Sequence, residues 1–156
     1  AGMRLGWLVA PAEVITQLSV LKTDGSSNVF GSHVIAEWMP EHLDDHIAQL
    51  RELYARRRDL PLAALERHMP EGVSWTVPDG GFFLWVTLPE ALDATALRAQ
   101  TRELGVDFLP GAACAAPGKA DNQLRLSYSF VTDEQIDAGI KVIADVVNGE
   151  IAESAS

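Results

Sequence analysis

The chain is poor in cysteine, in long apolar stretches and in basic residues. Its single cysteine, Cys114, cannot form a disulfide within the chain, which excludes the small secreted domains held together by disulfides and is typical of a reducing compartment. The apolar stretches are too short to cross a bilayer, and the N-terminus lacks a basic segment followed by a cleavable apolar one. We therefore expect a cytoplasmic protein without a membrane partner.

Acidic side chains outnumber basic ones by 22 to 12, giving a formal net charge of −10 at pH 7. Such a surface repels phosphate backbones, so we expect no nucleic acid to bind through this segment. With 156 residues, of which 47% are apolar, the chain can bury a hydrophobic core without a metal or a disulfide.

The first half of the chain reads mainly as helix. Residues 5–10 are predicted to form a buried strand, and Pro11 is suited to the first turn of a helix behind it. A further helix is predicted from about Gly31 to Pro40, followed by a longer one in which Pro61 either introduces a kink or starts a new helix. The arginines at 56–58 are interpreted as a solvated or ion-paired helix face.

The second half alternates strands with single helices. Strands are predicted over 73–77, 82–88, 106–109 and 124–130, and helices over 94–104 and from a capping box at 132–135. A Pro-Asp-Gly-Gly turn at 78–81 joins two of the strands, and residues 150–156 are predicted to be a frayed tail. These elements predict an α+β fold with helices packed on one face of a small, largely antiparallel sheet. Phe82, Phe83 and Trp85 are predicted to lie in its core.

Arg125 is the strongest candidate for a binding residue. Strand alternation places Leu124 and Leu126 on one face and Arg125 on the other, away from the helices. A guanidinium can bind a carboxylate through two parallel hydrogen bonds, but an exposed arginine on the wet face of a sheet fits the same pattern. Periodicity alone leaves both interpretations open.

The other polar candidates are weaker. Arg4 lies beside an apolar strand, where it must either pair with a partner or reach solvent. His42 and His46 are four residues apart but lack the intervening glutamate of a zinc helix motif, and no base is placed by spacing beside Cys114. We therefore predict no metal site. We interpret Gly80-Gly81 as a turn rather than as a point where the backbone closely approaches a ligand.

Four segments of the chain carry a recognisable pattern: residues 2–7 (Gly-Met-Arg-Leu-Gly-Trp), 78–85 (Pro-Asp-Gly-Gly-Phe-Phe-Leu-Trp), 105–111 (Gly-Val-Asp-Phe-Leu-Pro-Gly) and 124–127 (Leu-Arg-Leu-Ser). Together and in this order they resemble the fold-type I aminotransferases that use pyridoxal phosphate (PLP). The similarity is closest to the 2-aminoadipate or aromatic aminotransferases and to the aminotransferase-like half of MocR-type regulators. Cys114 departs from the family, which commonly has an aromatic residue near that point.

The resemblance implies a domain organisation. Residues 1–30 would be a remnant of the PLP-binding large domain, containing its last strand, and residues 31–70 would be connecting helices. Residues 71–149 would form the C-terminal small α+β domain, and 150–156 a tail. In the family the lysine that forms a Schiff base with PLP lies shortly before the segment that matches Gly2-Met3-Arg4, so this chain alone is expected to hold no catalytic residue, to bind no PLP and to be inactive.

The resemblance also implies roles and partners. Arg125 would bind the substrate α-carboxylate and Arg4 the PLP phosphate. The intact protein would be a homodimeric, PLP-dependent aminotransferase that transfers an amino group between an amino acid and a 2-oxo acid. Two alternatives are the ligand-sensing half of a MocR-type transcription regulator and a stand-alone α+β module that binds a partner protein through the open edge of the strand at 5–10.

Overall fold

A computed structural model of the chain describes residues 2–23 and 27–154, and it divides into two compact units. The first unit is Ala1–Gln49 and the second is Leu50–Ser156, so the division falls within one long helix. No helix of the described residues is long and apolar enough to cross a membrane.

The first unit begins with an extended segment and a short helix. Helix α1 spans Ala12–Leu21, and the carbonyl of Pro11 accepts hydrogen bonds from the amides of Val14 and Ile15, so Pro11 starts the helix as predicted. The predicted strand at 5–10 is wrong, because these residues form neither helix nor strand and Val9 is 90% exposed. A strand needs a second strand to accept and donate its hydrogen bonds, and none lies in the described part of this unit. The open strand edge on which the interaction module depended is therefore not formed.

Helix α2 spans Val29–His68 without interruption, although two helices divided at Pro40 were predicted. The Asn28 side chain accepts a hydrogen bond from the Gly31 amide at 2.9 Å and caps its start. Pro40 and Pro61 both lie inside the helix. Each removes a single backbone donor at a cost of about 3 kcal/mol, and the helical hydrogen bonds before and after each proline hold the helix together. The predicted break at Pro40 is therefore wrong, and no new helix starts at Pro61.

The second unit contains a four-stranded sheet with strand order β1-β2-β4-β3, in which every neighbouring pair is antiparallel. The strands are β1 (Ser74–Trp75), β2 (Phe83–Thr87), β3 (Leu109–Pro110) and β4 (Gln123–Ser127). All four are shorter than predicted, and β3 overlaps the strand predicted at 106–109 only at Leu109, but the hairpin between β1 and β2 is confirmed. The α+β class and the antiparallel sheet are therefore confirmed.

Helices α3 (Ala94–Glu103) and α4 (Asp133–Ser154) and the end of α2 cover one face of this sheet. On that face Leu84 pairs with Leu126 and Val86 with Leu124. The core contains these strand residues together with apolar side chains from the three helices, among them Leu65, Leu97, Ile140, Ile143 and Val147. The opposite face carries Phe83, Trp85 and Arg125 and has no helix of the second unit on it.

The prediction that Phe82, Phe83 and Trp85 lie in the core is wrong. Phe83 is 41% exposed and Trp85 is half-buried, because alternation along β2 directs both away from the buried Leu84 and Val86. Phe82 precedes the strand and packs its ring against Tyr54, with the centroids 4.7 Å apart. Phe83 and Trp85 therefore lie on the outer face of the sheet, whereas Phe82 packs against helix α2.

The ends of the two later helices follow their sequence signals. The amide of Thr132 donates to the Gln135 side chain at 2.9 Å and the Gln135 amide donates back to the Thr132 hydroxyl at 3.3 Å, which confirms the capping box. Gly105, with φ of +83°, ends α3 as predicted. Helix α4 continues to Ser154, so the tail predicted at 150–156 is wrong over 150–154, because the helix end keeps its hydrogen bonding, and residues 155–156 lie outside the described residues.

Candidate functional site

Arg125 lies at the centre of β4, where the sheet holds it from both sides. It is opposite Trp85 of β2 and Leu109 of β3 in the strand register. Its side chain is half-buried and faces away from the helices, as alternation predicted. A residue paired on both sides in this way has little backbone freedom, so its guanidinium projects from a fixed point.

The guanidinium of Arg125 stacks on the ring of Phe83. Its Cζ atom is 4.1 Å from the ring centroid, within the range of a cation–π contact. Within the described residues Arg125 makes no ion pair and no hydrogen bond from its side chain. The guanidinium carbon thus lies over the ring, and the N–H groups, which bond no described residue, remain available for a planar acceptor.

A surface cavity of about 280 Å³ lies beside this pair. Its lining includes both residues of the pair together with Leu109, Ser127, Phe130 and Val131. Phe130 is 95% exposed, so the predicted continuation of strand β4 to this residue is wrong. The strand ends at Ser127, and the chain then turns so that Phe130 extends into solvent beside the cavity.

Asp107 also borders the cavity, but its charge is already paired. Arg98 donates to both carboxylate oxygens, at 2.6 and 3.0 Å. These hydrogen bonds from Arg98 lower the pKa of the Asp107 carboxyl, and the same contact raises the pKa of Arg98. Arg125 is therefore the cation at this cavity whose charge no described carboxylate neutralises.

Tyr128 connects the end of β4 to the β1–β2 hairpin. Its ring is 2% exposed, and its hydroxyl donates to the Gly81 carbonyl at 2.9 Å. Burial raises the pKa of Tyr128, and the charge of Arg58 opposes that rise. Gly81 has φ of +92°, which suits the turn predicted for Gly80-Gly81.

Two of the arginines at 56–58, Arg56 and Arg58, are ion-paired, as predicted. Arg56 pairs with Asp133 at the start of α4, and Arg58 pairs with Asp59 at 2.7 Å. Sequence reasoning missed Arg57, which donates to backbone carbonyls directly after β4. No local pattern could have identified it, because its acceptors lie more than 70 residues away in the chain.

Arg4 belongs to the first unit, and Arg125 to the second. Arg4 is exposed, has φ of 52°, and forms no ion pair with any described residue. His42 and His46 of this unit pack against Trp38, with their ring centroids 5.1 and 5.3 Å from that of the Trp38 ring. The described residues contain no group of three or more metal-ligating side chains that could hold an ion, and Cys114 is exposed.

The chemistry of these residues fits part of a PLP enzyme. A phosphate group suits an exposed arginine such as Arg4, and an amino acid carboxylate suits the uncovered edge of Arg125. Of the lysines, Lys141 pairs with Asp145 at 2.7 Å on the surface of α4. Lys22, Lys119 and Lys141 all lack the Ser-x-Ser-Lys pattern that the family resemblance implies around a Schiff-base lysine. The residues thus fit anchoring and orientation rather than the covalent step.

Comparison with known proteins gives consistent matches along the chain. The family model for aminotransferase class I and II matches residues 1–143. Aromatic-amino-acid aminotransferase 1 of Thermococcus litoralis is 40% identical over 96% of this chain and 37% of its own length. An uncharacterized HTH-type transcriptional regulator of Bacillus subtilis, YdfD, is 34% identical over 89% of this chain and 29% of its own length.

A solved aminotransferase structure is also similar to this chain. The α-aminoadipate aminotransferase LysN of Thermus thermophilus, complexed with N-(5'-phosphopyridoxyl)-L-leucine, matches with a TM-score of 0.87 and 31% identity, over 97% of this chain and 39% of that one. The chain thus spans less than two-fifths of the length of these relatives. It belongs to the class I and II aminotransferase family.

Proposed function

We propose that this chain is the C-terminal small-domain part of a PLP-dependent aminotransferase, and that Arg125 binds the α-carboxylate of its amino acid and 2-oxo acid substrates. The observation that carries the proposal is the Arg125–Phe83 stack, whose uncovered guanidinium edge borders a cavity on the helix-free face of the sheet. The family match supports the reaction class.

The stack accounts for how a carboxylate would be oriented. A planar guanidinium held against a ring can rotate little, so a carboxylate that forms two parallel hydrogen bonds with it is fixed in one plane. Apolar walls formed by Phe83, Leu109 and Val131 lower the local dielectric and strengthen that ion pair. Because Asp107 is paired with Arg98, it does not compete for Arg125.

Arg4 is proposed to bind the PLP phosphate in the whole protein. When bound, PLP supplies the electron sink that allows the bond to the substrate α-carbon hydrogen to break. The residues of this chain would anchor and orient, with Arg4 holding a phosphate and Arg125 a carboxylate. We therefore expect the 156 residues alone to have no transaminase activity.

The organisation proposed for the whole protein is the one that the family resemblance of the sequence implies. Residues 1–30 would belong to the large domain, 31–70 to the connecting helix and 71–149 to the small domain, whose last helix continues to Ser154. The whole protein would act in the cytoplasm as a homodimer, a state in which enzymes of this family complete their active sites.

The test is steady-state kinetics of the whole protein that carries this chain, with PLP, 2-oxoglutarate and either aromatic amino acids or 2-aminoadipate as donors. Arg125→Lys keeps the charge but removes the planar fork, so kcat/KM is expected to fall by about 10- to 100-fold. Arg67→Lys is the matched control, because Arg67 is an exposed arginine that pairs with Asp137. Equal kcat/KM values for the Arg125→Lys and Arg67→Lys variants would contradict the assignment.

A second candidate function is the ligand-sensing half of a MocR-type regulator, and the 34% identity to a Bacillus subtilis transcriptional regulator favours it. In that case Arg125 would bind an amino acid effector without net turnover. The two functions are separated by a DNA-binding assay on the whole protein. A sensor changes its affinity for operator DNA when the amino acid and PLP are added, whereas an enzyme releases a 2-oxo acid product.

A further inference from the structure

The backbone immediately after β4 is held by a single side chain from helix α2. Nη1 of Arg57 donates to the carbonyl oxygens of Ser129 at 2.5 Å and Tyr128 at 3.2 Å, and Nη2 donates to that of Val131 at 2.7 Å. Three carbonyls within four residues therefore converge on one guanidinium. All of these residues lie in the second unit.

These carbonyls need a partner because the strand pairing has ended. The ladder between β2 and β4 ends at Ser127 opposite Phe83, and helix α4 begins only at Asp133. Partly buried carbonyl groups in the turn between them would otherwise lose hydrogen bonds, which is costly. Arg57 is itself half-buried and supplies three such bonds, so it sets the course of the chain through residues 128–131.

This turn forms one side of the carboxylate cavity. Val131, whose carbonyl Arg57 binds, lines the cavity together with Phe130 and Arg125. Ser129 also contacts the Ser127 hydroxyl at 3.1 Å, and Ser127 lies two residues from Arg125 on the same face of β4. A change in the turn would therefore shift the cavity wall relative to the guanidinium of Arg125.

We infer that Arg57 is a positioning residue of the substrate site, which holds the turn at 128–131 against the cavity so that Arg125 meets a carboxylate in one orientation. The inference rests on the proposed function of Arg125. Arg57 does not border the cavity and touches no substrate. It acts through the backbone that it binds.

The inference is tested with Arg57→Lys in the whole protein. Lysine keeps the charge but cannot bind three divergent carbonyls as a rigid fork. We expect faster hydrogen exchange in peptides that cover 128–132 and a KM for the amino acid raised by about tenfold, because small misplacements of a binding group are costly. The second kinetic readout is kcat at saturating substrate, which should change less than KM.

Arg67→Lys serves as the matched control, because Arg67 lies on the same helix and bonds a carboxylate of α4 rather than backbone carbonyls. It should leave both exchange at 128–132 and KM unchanged. Arg57→Met, which removes the charge as well, should raise the KM for the amino acid further than Arg57→Lys does. Arg57→Lys would then retain part of the wild-type function that Arg57→Met loses. If the hydrogen exchange of the β1–β2 hairpin is the same in the variants as in the wild type, a global loss of stability is excluded.

The possible failures are distinguishable. If Arg57→Lys leaves exchange at 128–132 unchanged, Arg57 does not hold the turn and the inference is overturned. If exchange rises but KM stays unchanged while Arg125→Lys raises it, the turn does not position the site and the inference alone fails. If Arg125→Lys also leaves KM unchanged, the proposed function of Arg125 fails, and the role assigned to Arg57 in substrate binding fails with it.

Discussion

Replacing Tyr128 with phenylalanine should destabilise the second unit by about 1 kcal/mol, the usual net value of one intramolecular hydrogen bond. The ring is 2% exposed and would remain in the core, so the change removes only the bond from its hydroxyl to the Gly81 carbonyl at 2.9 Å. Gly81 is exposed, so water can replace part of what its carbonyl loses. This keeps the expected loss well below that of an unsatisfied buried carbonyl.

The assay is urea unfolding of the chain followed by circular dichroism, with an unchanged m-value expected. For a chain of this size, about 1 kcal/mol corresponds to a fall in Tm of about 2–4 °C. Tyr54→Phe is the matched control, because Tyr54 is the other tyrosine and its hydroxyl makes no hydrogen bond with the described residues. Its substitution should change stability by less than about 0.5 kcal/mol.

The Tyr128 substitution also has a pH signature. Burial raises the pKa of Tyr128 above its ordinary value of 10.0. As pH rises past that value the unfolded tyrosine loses its proton while the folded one retains it, so the folded state loses stability. The wild type should therefore lose more stability than Tyr128→Phe between about pH 9 and about pH 11. Equal losses in the two proteins, or a destabilisation of the variant by more than about 3 kcal/mol at neutral pH, would refute this reasoning.

Two further changes test the surroundings of the cavity. Gly111→Ala should destabilise the chain by about 1–3 kcal/mol in urea unfolding, because the added Cβ would lie 2.5 Å from the Ala120 carbonyl oxygen, and an unchanged midpoint would contradict that close approach. Asp107→Asn should remove a stabilising contribution that is present above the ordinary carboxyl pKa and is lost as pH falls, because Arg98 lowers the pKa of Asp107. Unfolding midpoints measured from neutral to acidic pH should therefore converge for the two proteins, and a constant difference would contradict this.

Local signals in the sequence were sufficient for much of the second unit. The capping box at Thr132 and Gln135 and the left-handed Gly105 depend on residues within a few positions of each other, so the ends of α3 and α4 could be read directly. The side on which Arg125 lies depends only on alternation along one strand. Helix-capping signals and strand alternation were therefore sufficient to predict the sheet and the face of it that carries no helix.

Features that depend on distant partners could not be read in the same way. The segment at 5–10 has the composition of a strand, yet composition supplies no pairing partner, and the described residues of the first unit offer none. Arg57 looked like one of three surface arginines, because its carbonyl acceptors lie 71 to 74 residues further along the chain. Pro40 predicted a break because local rules do not weigh the hydrogen bonds that a long helix keeps on both sides.

The error about Phe83 and Trp85 differs in kind, because the sequence contained the signal that would have corrected it. Leu84 and Val86 alternate with Phe83 and Trp85, and both pairs cannot face the same core. When the outer face of an antiparallel sheet contacts only solvent, it usually carries polar residues. The outer face of this sheet instead carries aromatic rings beside Arg125. Large apolar side chains on an exposed face indicate a surface that binds something. Here they form the low-dielectric surroundings in which an arginine binds a carboxylate most strongly, so the departure from core packing coincides with the proposed site.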